Sequence, residues 1–234
     1  MLTPIRYSEL GTMKLGWLDA HYHFSFADYH NPTRMGFGNL RVINDDIVAP
    51  NSGFDFHPHR DMEIITYVRE GAITHEDSLG NKGITRAGDV QVMSAGTGIL
   101  HSEHNHETVP TRMYQIWILP REKNVSPRYA QRAFPEQAQG LQLLVSGLPE
   151  HAATDALPIY ADAALWGGTL AAGSSLAQPL AGAGYLLVSR GEVESGDHVL
   201  RAGDALALRK EPMLNVVARV DAELVLIDLP LLNE

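Results

Sequence analysis

Cysteine is absent from this 234-residue chain, which excludes a disulfide framework, a thiolate metal site and a thiol nucleophile. Any transition-metal site must then be assembled from His, Asp and Glu. Basic residues are scarce: 18 Lys plus Arg stand against 28 Asp plus Glu, a formal charge of -10. That is the wrong sign for a groove tracking nucleic-acid phosphates, so direct DNA or RNA binding is not expected. Long apolar runs are missing as well. No stretch reaches the roughly 20 apolar residues of a membrane span, and the opening MLTPIRYSEL has no basic region followed by an apolar core. No membrane partner is expected, and cytoplasmic residence is the default.

Long helical periodicity is equally scarce. What recurs instead is short runs of Val, Ile, Tyr, Trp and Leu between Gly, Pro, Asn and Asp punctuation, the pattern of an all-β sandwich or barrel. The expected strands are 36–44, 62–71, 72–78, 89–95 and 112–120, with LQLLVSG, ALWGGTLA, GYLLVSRG, DALALR and ELVLIDLP continuing the pattern. Between Pro120 and Gln139, charges, Pro127, Pro135 and Gln-rich stretches predict an irregular or partly helical connector. The length suits two smaller domains. A repeat supports that division: Arg86-Ala87-Gly88-Asp89 recurs as Arg201-Ala202-Gly203-Asp204, each copy between a strand ending in Gly (Gly71, Gly191) and a following apolar strand. The expected domains are 1–135 and 136–234.

Metal-binding chemistry concentrates in two short segments. In GFDFHPHRDME, His57 and His59 are two apart, so on an extended chain they face the same way about 6.6 Å apart and can converge on one ion. Pro58 points away, and its lack of an amide donor predicts an edge or irregular strand. In GTGILHSEHNHE, His101 and Glu103 repeat the spacing. Together the pairs offer three neutral nitrogens and one anionic oxygen, a set suited to Fe(II), Mn, Co, Ni, Cu or Zn rather than Ca or Mg.

The segments GFDFHPHRDMEIITYVREG and AGDVQVMSAGTGILHSEHN resemble the two cupin motifs. With WLDAHYHFSFADYHNP, GFGNLRVINDD and YQIWILP, the N-terminal half, about residues 15 to 135, resembles the pirin family and its bacterial quercetin 2,3-dioxygenase-like members. The C-terminal half shares only its RAGD turn and closing LIDLP. The resemblance implies a bicupin of two packed jelly-roll β-barrels, with one metal ion in the N-terminal barrel, held by His57, His59, His101 and Glu103. It implies a degenerate second barrel without ligands. Counting from Gly191 and Gly203 puts Ala177, Pro179, Val216 and Ala218 at the corresponding places, and only His151 and His198 occur in that half. The wider cupin pattern puts a glutamate after the HxH pair. Glu63 stands there and shares strand parity with the pair, so it is expected near the cavity without binding, with Met93 and Gln115 as further wall candidates.

Other residues have plainer readings. His104 has the opposite parity to His101 and is expected at the surface with His106. His21, His23, His30 and His75 are expected as strand or turn residues, with an outer-shell role open but demanded by no spacing. Gly96 and Gly98 suit turn geometry, because no GxxxxGK pattern accompanies them. Adjacent Asp45 and Asp46 would face opposite ways, which favours solvated or turn roles over an acid/base pair.

The resemblance implies an Fe(II)-dependent dioxygenase taking a flavonol-like substrate and O2, with quercetin as the model substrate and Glu103 as the group that accepts the substrate's hydroxyl proton. Two other classes stand beside it. One is a redox switch that binds a protein partner, as eukaryotic pirins are associated with transcription-factor binding. The other is a redox-silent zinc isomerase or structural metal cupin. A monomer is expected, the two barrels covering each other's apolar faces.

Overall fold

β-branched and aromatic residues are densest in two strands, Glu63–Glu70 and Thr111–Ile118. Glu63–Glu70 (EIITYVRE) is buried along most of its length, as suits a strand inside a sheet. The computed structural model describes residues 1–134 and 139–230, and the chain divides into two compact units.

One unit comprises Gly11–Pro135 and Leu157–Ala161. Its larger sheet runs in the order Arg128–Arg132, Val90–Ser94, Glu63–Glu70, Thr111–Ile118, Leu40–Val48, Leu18–Tyr22, Gly11–Lys14. Its smaller sheet runs Ser52–His59, Ile99–Asn105, Ala72–Asp77, Lys82–Arg86. All of these pairings are antiparallel. This is the jelly-roll arrangement of a cupin barrel. Ser52–His59 is an edge strand, the position Pro58 requires.

The other unit comprises Met1–Leu10, Glu136–Ala156 and Asp162–Glu234. Six of its strands follow the order Leu2–Ile5, Ala205–Arg209, Gly182–Arg190, Ala222–Pro230, Ala164–Leu170, Gly140–Ser146. Four more form a second sheet: Ser175–Pro179, Met213–Ala218, Glu192–Ser195, His198–Arg201. The second cupin barrel has an apolar interior. Leu186, Leu206, Leu214, Val216, Ala218 and Leu224 pack in one cluster; by strand register Leu214 and Val216, rather than the expected Val216 and Ala218, lie where the first barrel carries His101 and Glu103.

The repeat is structural as well as sequential. Gly88 and Gly203 both take positive φ, +86° and +88°. Each amide bonds back to the preceding strand, Gly88 to the Val68 carbonyl (2.9 Å) and Gly203 to that of Val188 (2.8 Å). Asp89 and Asp204 each close the turn onto the backbone N–H of the repeat's arginine. Two equivalent turns at equivalent places are the geometry of a duplicated barrel.

The division differs from the expected 1–135 and 136–234 at two points. Leu2–Ile5 pairs with Ala205–Arg209, so the first ten residues join the second unit. Leu157–Ala161 returns to the first, where the Arg128 guanidinium donates to the Pro158 carbonyl (2.6 Å) and sits over the Tyr160 ring. The expected connector between Pro120 and Gln139 also contains a strand, Arg128–Arg132, registered on Val90–Ser94; its stretch 135–138 lies outside the described residues. Strand edges shift where turns intervene: 36–44 becomes Leu40–Val48, because Phe37 and Leu40 close a tight turn first. Among the described residues no helix is long and apolar enough to cross a membrane.

Candidate metal centre

His57 and His101 are directly paired between the edge strand Ser52–His59 and its neighbour Ile99–Asn105. His59, two residues along, completes the group. The ring centroids form a near-equilateral triangle, 4.8 Å for His57–His59, 4.5 Å for His57–His101 and 4.9 Å for His59–His101. The three can offer one nitrogen each, all within 4.8 Å of one another, a spacing that a small inward adjustment brings to bonds of about 2.0–2.1 Å around one ion.

The surrounding hydrogen bonds turn the rings. His57 Nδ1 donates to the Asp55 carbonyl (2.7 Å), leaving Nε2 for the centre. Behind His101 stands a relay: Asp77 Oδ2 lies 3.1 Å from His75 Nε2, and His75 Nδ1 lies 3.4 Å from His101 Nδ1. The network assigns the proton on His75 to Nε2, facing the carboxylate, so His75 Nδ1 accepts from His101 Nδ1–H. His101 Nε2 is then a bare acceptor. It is buried without a hydrogen-bond partner, and so is His59 Nε2. Two orphaned imidazole nitrogens converging with a third are a donor set that a late first-row divalent ion fits.

Glu103 stands apart from the three-imidazole cluster but borders the same cavity of about 230 Å³. Both of its oxygens are engaged. Oε1 accepts from Thr66 Oγ1 (2.8 Å) and Gln91 Nε2 (2.6 Å), and Oε2 from Gln115 Nε2 (2.6 Å). The donors belong to a single rung of the larger sheet, in which Gln91 pairs with Thr66, Thr66 with Gln115, Gln115 with Asn44 and Asn44 with Tyr22. Phe26, Phe54 and Trp117 supply the apolar walls, and the Trp117 ring meets that of His59 edge-on at 4.8 Å.

Of the expected wall residues, Gln115 lines the cavity. Glu63 does not: it accepts from Ser94 Oγ. The parity counted from His59 is lost at the turn, where Asp61 takes φ +46°, and Glu63 begins a strand of the other sheet. Met93 packs with Ile64, Ala95 and Ile99 rather than facing the cavity. His104 is half-buried beside Asp55 (3.3 Å), and His106 is exposed. Asp45 and Asp46 do face opposite ways, but neither is solvated. Asp45 pairs with Arg69, while Asp46 is only 2% exposed and lines the cavity. Strand alternation sets their opposite orientations, and both sides of the strand are buried.

Burial lowers His59 and His101 to about 3, reinforced by their imidazole neighbours, and lowers buried His23 likewise to about 3. These groups stay neutral in the folded protein while the unfolded chain takes up protons below about 6.5. Stability of the metal-free protein is therefore expected to fall as pH drops from about 6.5 towards 3, by up to about 1.4 kcal/mol per pH unit for each such histidine. The raised carboxyls of Asp46 and Asp228 slope the opposite way, so urea unfolding at pH 7 and pH 5 is compared between wild type and His59→Gln, and an equal slope in the two would mean that this ring is protonated in the fold.

Comparison with known proteins gives a consistent neighbourhood. Residues 6–118 match the Pirin family, and residues 143–229 match the quercetinase C-terminal cupin domain. A pirin-like protein of Caulobacter vibrioides is 49% identical, with 95% of this chain and 97% of that protein covered. A quercetin 2,3-dioxygenase of Escherichia coli is 42% identical, with 95% and 96% covered. Among solved structures, the bacterial pirin YhhW of Escherichia coli in complex with nickel(II) superposes with a TM-score of 0.92 at 40% identity, over 99% of this chain and 100% of that one.

Proposed function

The chain belongs to the pirin family, and on that footing we propose that it is a metal-dependent dioxygenase, with Fe(II) as the working ion, that cleaves flavonol-like substrates with O2. The ligands in this reading are His57, His59, His101 and Glu103. The observation that carries it is the convergence of three imidazoles with two buried, partnerless Nε2 atoms on a cavity with aromatic walls. The quercetin 2,3-dioxygenase name of a 42% identical relative and the nickel complex of a structural neighbour support metal-dependent chemistry of this class.

A divalent ion bound there would supply Lewis acidity and one-electron redox chemistry towards substrate and O2. The chain's residues do the rest. The relay from Asp77 through His75 fixes His101, and the bond to Asp55 fixes His57. Glu103 Oε2 has a single donor, Gln115, so it has a lone pair to spare for the ion or for a substrate hydroxyl proton. Oε1, held by Thr66 and Gln91, keeps the carboxylate oriented during that exchange. The apolar walls around it exclude water and receive a flat ring system.

The test is oxygen uptake by anaerobically Fe(II)-loaded protein on adding quercetin, beside His57→Ala and Glu103→Gln variants. Uptake by the wild type that both variants lose is expected. A wild type that holds iron and takes up no oxygen would sink flavonol oxygenation. Weight would then move to a redox switch that binds a protein partner, a reading favoured by one feature. Phe56 and Leu100, next in the chain to His57 and His101, are 57% and 46% exposed, an apolar surface beside the metal-bearing strands.

A further inference from the structure

Three polar atoms on the cavity wall have no part in holding a metal. Tyr22 Oη, Asn44 Oδ1 and Asp46 Oδ1 are each buried without a hydrogen-bond partner, and all three residues line the cavity. Their grouping follows from register. Tyr22 pairs directly with Asn44, and Asp46, two residues further along the Leu40–Val48 strand, shares the face of Asn44. On its other side Asn44 pairs with Gln115, whose amide holds Glu103. The group therefore starts one strand, about 5 Å, beyond the last residue tied to Glu103, and reaches across a second strand to Tyr22. Buried polar groups are normally satisfied, and three unsatisfied ones opening on one cavity call for a ligand group.

We infer that Tyr22, Asn44 and Asp46 form a second polar anchor, which binds a hydroxyl group on the end of an aromatic ligand remote from the metal centre. The chemistry selects a hydroxyl. The Asn44 and Asp46 oxygens accept a hydrogen bond, and the Tyr22 hydroxyl can donate one back, which is the pairing a phenol offers. Phe26, Phe54 and Trp117 give the flat walls that a ring needs. Burial, with Asp45 and Glu103 nearby, raises the Asp46 carboxyl well above the ordinary carboxylate range against the opposing effect of Arg69. Burial penalises the charged form of this carboxyl, so a cationic occupant, which would need that charge, is disfavoured. The inference rests on the reading that the ligand's other end is taken up at the metal centre, and it names what would set the preference among flavonols.

Binding rather than turnover tests it. Nickel-loaded protein is titrated under argon with quercetin, which carries hydroxyls on both outer rings, and with 3-hydroxyflavone, which has only the chelating hydroxyl–ketone pair. For Asn44→Leu and Asp46→Leu, quercetin affinity is expected to fall about tenfold, the scale of one lost buried hydrogen bond, while 3-hydroxyflavone affinity stays unchanged. Asp46→Asn, which keeps a carbonyl oxygen, should retain quercetin binding. The Tm of the ligand-free leucine variants should not drop, because no protein partner is lost. Equal losses for both flavonols, or unaltered quercetin affinity, would overturn the anchor. If the wild type binds neither flavonol, the flavonol reading fails by itself. The anchor is then judged with resorcinol on the metal-free protein by NMR: weaker binding to Asp46→Leu than to wild type supports it, and equal binding overturns it.

Discussion

Replacing His101 with alanine is expected to abolish metal binding while leaving the barrel folded. Each of the three imidazoles meets the other two, and His101 is held from behind by the His75–Asp77 relay. Without it two half-buried histidines remain on a solvent-edge strand, and the convergence that makes the site is gone. Removing an outer partner of a metal-bound histidine typically costs roughly 10–100-fold in affinity. His75→Phe should fall in that range, and His101→Ala should lose more. The measurement is thermal unfolding with and without nickel(II), together with metal content after dialysis. A metal present at 100 times its Kd stabilises by about 2.7 kcal/mol, so the wild type should shift clearly and His101→Ala should not shift. An unaltered nickel shift in His101→Ala would place the site elsewhere. A wild-type affinity in His75→Phe would show that the relay behind His101 is a packing feature without influence on the metal.

The triad was legible because its signal is local. HPH and HSE are two-residue spacings on extended chain, and strand geometry alone puts each pair on one face. The RAGD duplication was legible for the same reason, since a positive-φ glycine and a carboxylate closing the turn are sequence-local requirements. Groups assembled by register were not legible. Glu103 is held by donors from three strands, Thr66, Gln91 and Gln115. Only their oddity as polar residues inside the apolar runs EIITYV, VQVM and MYQIWI hinted at a shared interior. Asp46 is buried rather than solvated, because alternation tells which way a side chain points but not whether that side is wet. Glu63 was misplaced because parity does not survive a turn with a left-handed residue. The first ten residues gave no sign that they would pair with a strand two hundred positions away; LTPI is too short to name its partner.

Gly53 shows how the edge strand is tied to the metal centre, and its replacement should be costly. It pairs with His104 in the ladder that brings Ser52–His59 against Ile99–Asn105. A Cβ there would press into the Glu103 carbonyl oxygen and stand 2.6 Å from His104 Cα and 3.0 Å from the Glu103 carbonyl carbon. These are backbone atoms, so no rotamer change relieves the contact and the two strands must separate. They are the same two strands that carry His57, His59, His101 and Glu103. Gly53→Ala is thus expected to lower stability by about 1–3 kcal/mol, the usual range for overpacking, and to weaken nickel binding as well, although residue 53 touches no ligand side chain. Gly16→Ala is the control: nothing lies within 4 Å of its Cβ position, and it should stay within about 0.5 kcal/mol of wild type with full affinity. Urea unfolding of the metal-free proteins and nickel titration separate the two effects. A destabilised Gly53→Ala with wild-type nickel affinity would mean that the two strands can part at Gly53 without disturbing the imidazole triangle, and that the bulge between His101 and Glu103 isolates the site from the rest of the ladder.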